Sequence, residues 1–425
     1  MAKAATEIPV KEQNEKKTLI PYWVKIVTIF FLGWVAIYAT RSVLNPVMDN
    51  IQTEFGLSTS TLGLISSIFF LGYAAMNVPA GMLGDKIGKK RVVVPGVILF
   101  GIFAALTGMM PTFFMFITMW AMVGIFQGFY YGPSYGLSSE SIPPKHITVG
   151  SAIINSGMAF GISIGYFISS YTVGELGMSW RAPFYIIAIP VILIGLLMMW
   201  VIKEKRKTKA EHQAEVDSGE KVKLGDLFKN RNLVLSYIVI FTAIYAFFVV
   251  VTWMPYYLQH ARGITGGSVA FIASLVPWAA IPGSILFSWI ADRMGKRRPV
   301  LLVMMPLSII AIISIVAFDS MWVLYASLIG YGIFGKISTN PVLVAVVADN
   351  APKHAYSTSF GVYNFIGMCG SILAPYITGF LTDVTGSLNM GFYFAGFLLI
   401  IGTIAAAMIK EDNRPNVEGA ATANN

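Results

Sequence analysis

Gly81-Met-Leu-Gly-Asp85-Lys-Ile-Gly88-Lys-Lys-Arg91 recurs, degraded, as Ser288-Trp-Ile-Ala-Asp292-Arg-Met-Gly295-Lys-Arg-Arg298. The two aspartates lie 207 residues apart, and each copy closes an apolar segment of helical length. Working outward at an offset of 207–209, Ala36-Ile37-Tyr38-Ala39 matches Ala243-Ile244-Tyr245-Ala246. Gly124-Ile125-Phe126 and Pro133 match Gly332-Ile333-Phe334 and Pro341, and Asn155 pairs approximately with Asn364. Four segment pairs at a common offset mark a chain built from two copies of one bundle.

Composition places that bundle in a membrane. The chain is 56% hydrophobic with a mean hydropathy of +0.69, and its 12% of charged residues is about half the share of a soluble domain. Apolar runs long enough to span a bilayer fall at 24–47, 60–83, 92–110, 113–139, 148–171, 182–202, 233–258, 268–291, 299–317, 321–347, 356–381 and 388–409. The expected fold is all-α, with twelve transmembrane helices in two six-helix pseudo-symmetric halves. The expected organisation is a cytoplasmic tail (1–23), an N-terminal bundle (24–202), a cytoplasmic linker (203–231), a C-terminal bundle (232–409) and a cytoplasmic tail (410–425).

A net charge of +9 raises nucleic acid as a partner, but its placement excludes it. With the N-terminus inside, only Arg181 and Arg262 of the 30 Lys and Arg fall outside, and Arg41 and Lys336 lie within helices; the remaining 26 are cytoplasmic. That is the positive-inside asymmetry of a multi-pass protein of the cell membrane with both termini cytoplasmic. The run Lys203, Lys205, Arg206, Lys207, Lys209 then anchors topology. The single Cys369 excludes an internal disulfide, and His146, His212, His260 and His354 sit in loops or at helix ends, away from any buried metal site. No nucleophile–base pair, metal cluster or phosphate loop points to an enzyme or a cofactor.

Two parallel six-helix halves joined by a cytoplasmic linker form a plan used by secondary transporters, with the site midway through the bilayer. The Gly81–Arg91 stretch resembles the signature loop between helices 2 and 3 of the major facilitator superfamily. The resemblance implies that Asp85 with Arg91, and Asp292 with Arg293, gate the cytoplasmic face. Such contacts would lock one state and break in the other. Gly157, Gly161 and Gly165 in helix 5 have the spacing that lets helices approach closely, read here as packing between the halves. The drug-antiporter version of this helix has a proline after a glycine, which this sequence lacks.

Two charged residues lie well inside the expected helices, Arg41 in helix 1 and Lys336 in helix 10. A charge at such depth costs on the order of 3 kcal/mol, which makes each a functional candidate. Asp49, Glu140, Asp349 and Asp383 lie near helix ends, so the natural counter-ion is an anionic substrate, held by guanidinium and ammonium together. Tyr38-Ala-Thr-Arg41 and Ser67-Ile-Phe-Phe-Leu-Gly-Tyr73-Ala-Ala-Met-Asn-Val-Pro79-Ala-Gly81 resemble helices 1 and 2 of the anion:cation symporter family. Asn155-Ser156-Gly157, Trp180-Arg181 and Asn364 fit that pattern, while Phe126-Gln127-Gly128 resembles the organophosphate:phosphate antiporters.

The resemblance implies import of sugar acids or other organic anions through the helix 1 arginine and nearby tyrosines. Proton-coupled members carry acids where this chain has Thr40 and Gln127, which leaves exchange, facilitated diffusion or cation coupling open. The expected substrate-binding residues are Arg41, Lys336, Tyr38, Tyr73, Gln127 and Asn364. Tyr130, Tyr131, Tyr245 and Trp253 are further candidates for the cavity lining. The function expected is a monomeric secondary transporter or exchanger of a small organic anion working by alternating access, with a coupling ion or counter-anion and the lipid bilayer as its other partners. An exporter of lipophilic compounds, an organophosphate/phosphate exchanger and a transporter-like sensor are the alternatives.

Overall fold

The computed structural model describes residues 21–143, 146–204, 224–352 and 356–411. Residues 1–20 and 412–425 of the two tails, His212, His354 and the basic run from Lys205 to Lys209 lie outside the described residues. Among the described residues, twelve helices are long and apolar enough to cross a membrane. They are helix 1 Tyr22–Phe55, helix 2 Thr59–Ile87, helix 3 Lys90–Met109, helix 4 Phe113–Ser141, helix 5 Val149–Glu175 and helix 6 Ala182–Val201. The second set is helix 7 Arg231–Arg262, helix 8 Gly267–Met294, helix 9 Arg298–Ala317, helix 10 Met321–Asn350, helix 11 Thr358–Thr385 and helix 12 Asn389–Met408.

Local chemistry sets their ends. Ser58 Oγ accepts from Thr61 N at the start of helix 2, and Asn230 Oδ1 accepts from Asn232 N at the start of helix 7. Gly88, Gly263 and Gly295 adopt positive φ just past helices 2, 7 and 8, where a side chain would be strained.

Three spans expected to be continuous are interrupted. In helix 1 the α-helix stops at Ser42, followed by a 3₁₀ turn Asn45–Val47 and a short helix Met48–Phe55. Pro46 has no N–H with which to continue the ladder. Helix 4 divides into Phe113–Gly128 and Tyr131–Ser141, with Pro133 four residues after the break at Phe129. Helix 10 divides into Met321–Phe334 and Lys336–Asn350, around an extended Gly335. Helices 4 and 10 are repeat partners, so the breaks are duplicated too.

The helix 5 glycines pack within the N-terminal half, which corrects the expectation that they lie between halves. A Cβ on Gly157, Gly161 or Gly165 would stand 2.7, 2.6 or 2.5 Å from the carbonyl oxygens of Phe31, Val35 and Ala39 in helix 1. Their spacing fits one face of a neighbouring helix, and helix 1 takes that face.

The halves meet at the end of the bundle away from Asp85 and Asp292. There helices 2 and 11 touch so closely that Gly63 faces the Pro375 carbonyl and Gly379 faces that of Thr59. Pro255 lacks the N–H that would bond Val251 O, and this carbonyl instead accepts from Asn45 Nδ2 (3.0 Å) and Tyr166 Oη of the other half. Gln259 donates to Pro46 O (3.0 Å) and Tyr256 to Gln52 Oε1 (2.7 Å), while His260 pairs with Asp49 (2.9 Å). Two carboxylates complete the closure. Asp383, ending helix 11, accepts from Thr59 N and Ser60 N of helix 2 (2.9 and 2.8 Å), and Glu175, ending helix 5, accepts from Gly267 N of helix 8 (3.0 Å). Each places a negative charge on the positive end of a helix in the opposite half.

Candidate functional site

Arg41 sits in the last turn of the first α-helical piece of helix 1, where the chain is about to break. Its Nε donates to Gln127 Oε1 at 2.9 Å. Its guanidinium carbon lies 4.4 Å from the Tyr73 ring centroid and 4.9 Å from that of Tyr38, with Phe69 and Phe70 slightly farther away. Nη2 is buried and has no hydrogen-bond acceptor. Gln127 is fully buried and fixed by a second bond from Nε2 to Ile37 O (3.4 Å), so its oxygen is held toward the arginine. Arg41 therefore touches aromatic faces and one neutral amide, and pairs with no carboxylate among the described residues.

Arg41, Phe70, Trp120, Phe247 and Thr252 help line a cavity of about 20 Å³, room for roughly one water. Trp120 Nε1 is a second buried donor without an acceptor in that lining. Buried donors lacking acceptors favour an anion or a water at this place.

Lys336 is the first residue of the second piece of helix 10, next to the break. Its Nζ lies 5.6 Å from the Phe247 ring centroid, and it makes no ion pair with another described residue. Phe247 also helps line the Arg41 cavity, so one ring neighbours the surroundings of both cations, one from each half. Beside Lys336, Ser338 Oγ bonds Ala280 O (3.1 Å), and Asn340 Oδ1 accepts from Tyr363 of helix 11 (3.2 Å).

Of the expected binding residues, Arg41, Tyr38, Tyr73 and Gln127 are brought together in direct contact. Asn364 is half-buried beside Tyr363 on helix 11 and forms no hydrogen bond with another described residue. Three further candidates belong to helix packing instead. Tyr130 donates to Phe30 O (2.9 Å) inside the N-terminal half, Trp253 Nε1 donates to Pro375 O (3.2 Å), and Tyr245 is buried against Phe394. The helix 4 break turns Tyr130 inward and leaves Tyr131 beside Trp34 and Tyr135, whose hydroxyl donates to Asn155 Oδ1 (2.8 Å).

At the signature loops, Asp85 and Arg91 are exposed, and Asp85 has no partner among the described residues. Asp292 pairs with Arg297 (2.8 Å), not with Arg293, which stacks over Trp289 (5.3 Å). Sequence reading missed the acids that hold these loops. Glu204 accepts from Lys89 N and Lys90 N (2.7 and 3.0 Å), and Glu411 accepts from Arg297 N and from Arg298 N (2.8 Å). They lie 207 residues apart, in Ile202-Lys203-Glu204 and Ile409-Lys410-Glu411, so the same repeat offset would have found them.

The chain matches the Major Facilitator Superfamily over residues 30–267 and again over 237–424. It is 25% identical to the probable galactarate/D-glucarate transporter of Bacillus subtilis (strain 168), over 94% of this chain and 96% of that protein. It is 26% identical to the gentisate transporter of Corynebacterium glutamicum, over 86% and 83%. Among solved structures, a bacterial homolog of the human lysosomal transporter Spinster, in an inward-facing and occupied conformation, superposes with a TM-score of 0.78. That match covers 92% of this chain and 97% of the other at 15% identity, a likeness of fold.

Proposed function

The chain belongs to the major facilitator superfamily, a family of multi-pass membrane transporters, and from that premise we propose that it moves a small organic anion, a sugar acid or another carboxylate, across the cell membrane by alternating access. The observation that carries this reading is Arg41: its Nε is held by a neutral amide while Nη2 is buried without an acceptor. A buried guanidinium in that condition is incomplete until a carboxylate arrives, and the fork geometry of arginine suits one. Relatives named for galactarate/D-glucarate and gentisate transport support the same class of cargo.

With both termini cytoplasmic, the closed end faces outward and the signature loops face the cytoplasm. The state described is then inward-facing, with Asp85 released from the contacts it makes in the opposite state. Arg41, Tyr38, Tyr73 and Gln127 bind the anion, with Lys336 and Asn364 facing it from the second half. Asp85 with Arg91, and Asp292 with its basic neighbours Arg293 and Arg297, act at the cytoplasmic gate.

The test is a counterflow screen in proteoliposomes loaded in turn with sugar acids, aromatic carboxylates, a hexose phosphate or a lipophilic cation. Trans-stimulated uptake confined to carboxylates supports the proposal. Transport of the hexose phosphate or the lipophilic cation alone, with no carboxylate moved, would replace it with an organophosphate exchanger or an exporter of lipophilic compounds.

A further inference from the structure

Arg41 satisfies the need for one anionic group, which leaves Lys336 unexplained. Its ammonium enters from the other half, at a helix break, with Phe247 beneath it and no acid beside it among the described residues. The same phenyl ring helps line the cavity beside Arg41. Two cations from opposite halves that neighbour one aromatic ring, neither with a counter-ion among the described residues, favour a ligand that neutralises both. A monoanion on Arg41 would leave the ammonium buried and alone.

We infer that the cargo carries two separate anionic groups, one held by Arg41 and the other by Lys336, and that Lys336 is the residue that selects a dicarboxylate over a monocarboxylate. The inference rests on the anion-transport reading above and goes further, because it assigns one charge of the cargo to each half. Since the halves move relative to each other in alternating access, a two-headed anion spans the moving interface, whereas a one-headed anion holds only the N-terminal half. Phe247 gives the site an apolar wall near both cations, which suits a cargo whose two anionic groups sit at opposite ends. A phosphate monoester, with both charges on one group, does not fit this arrangement.

The experiment uses the full-length protein in proteoliposomes and two matched pairs of probes. One pair is D-glucarate and D-gluconate, which differ by a terminal carboxylate; the other is cis,cis-muconate and the monoanion sorbate. Uptake competition is measured for wild type, Lys336→Gln and Lys336→Arg. The wild type is expected to prefer the dianion of at least one pair by tenfold or more. Lys336→Gln should erase that preference by weakening the dianion alone, and Lys336→Arg should restore part of it. Wild-type discrimination near unity in both pairs, or a Lys336→Gln variant that keeps the preference or weakens both probes equally, overturns the inference and leaves organic-anion transport standing. No transport of any carboxylate by wild type would overturn both.

Discussion

On the proposed reading, Gln127 keeps Arg41 free for an anion. An amide oxygen 2.9 Å from Nε orients the guanidinium without neutralising it, so the positive charge remains available to a ligand. Gln127→Glu would place a carboxylate at the same distance and form an internal ion pair. The anion would then have to displace a protein group of its own charge. The variant should lose roughly tenfold or more in apparent affinity, since each 1.4 kcal/mol is tenfold, and should regain activity as the medium is acidified enough to protonate the new acid. Competition binding across a pH series measures this; affinity equal to wild type at neutral pH would refute the role given to Gln127. Arg41 and Lys336 were legible in the sequence because a charge amid apolar residues is rare and costly. Tyr130, Tyr245 and Trp253 could be named only as candidates because an aromatic side chain serves packing and cavity lining equally well. Only the helix 4 break decides that Tyr131 faces its neighbours Trp34 and Tyr135 while Tyr130 is buried.

At the scale of elements, the glycine stripe of helix 5 sets the position of Arg41. A Cβ on Gly161 would stand 2.7 Å from Tyr38 Cβ as well as crowding Val35 O. Gly161→Ala should therefore destabilise the protein by about 1–3 kcal/mol through overpacking, visible as a lower melting temperature in detergent, and should impair transport because Tyr38 and Arg41 ride on the same helix. An unchanged melting temperature would show that helix 1 yields freely. The Asp383 and Glu175 caps are the second element-scale feature. Each contact from an exposed carboxylate to a helix N-terminus is worth about 0.3–1 kcal/mol, and both hold that end of the bundle closed. Asp383→Asn combined with Glu175→Gln should move the population toward the outward-open state. Thr252→Cys, in a chain with Cys369→Ser, reports it: an impermeant maleimide should label the buried position several-fold faster from outside in the double variant. Equal labelling would mean that these caps are not a latch. The helices themselves were legible from length and hydropathy. Their breaks were not, because Pro46, Pro133 and Gly335 interrupt backbone bonding without lowering the apolar character of the run.

For the whole molecule, duplication extends from the signature loops to the helix 4 and 10 breaks, the Glu204 and Glu411 loop anchors and the Glu175 and Asp383 caps. The cations depart from it. Arg41 has Phe248 at its repeat position and Lys336 has Gly128, so each half contributes one charge that the other lacks. The proposed gates follow the repeat, and the proposed anion site departs from it. If Asp85 acts at the cytoplasmic gate as proposed, Asp85→Asn should leave the melting temperature of this state unchanged while slowing turnover. Unaltered turnover would confine Asp85 to topology. The central claim is that Arg41 grips an organic anion. Its most direct measurement is the initial rate of exchange, in proteoliposomes at matched incorporation and subsaturating substrate, for wild type and Arg41→Lys. An ammonium keeps the charge but loses the fork and the Gln127 bond, so exchange should fall by roughly tenfold or more. Exchange at the wild-type rate would contradict the account.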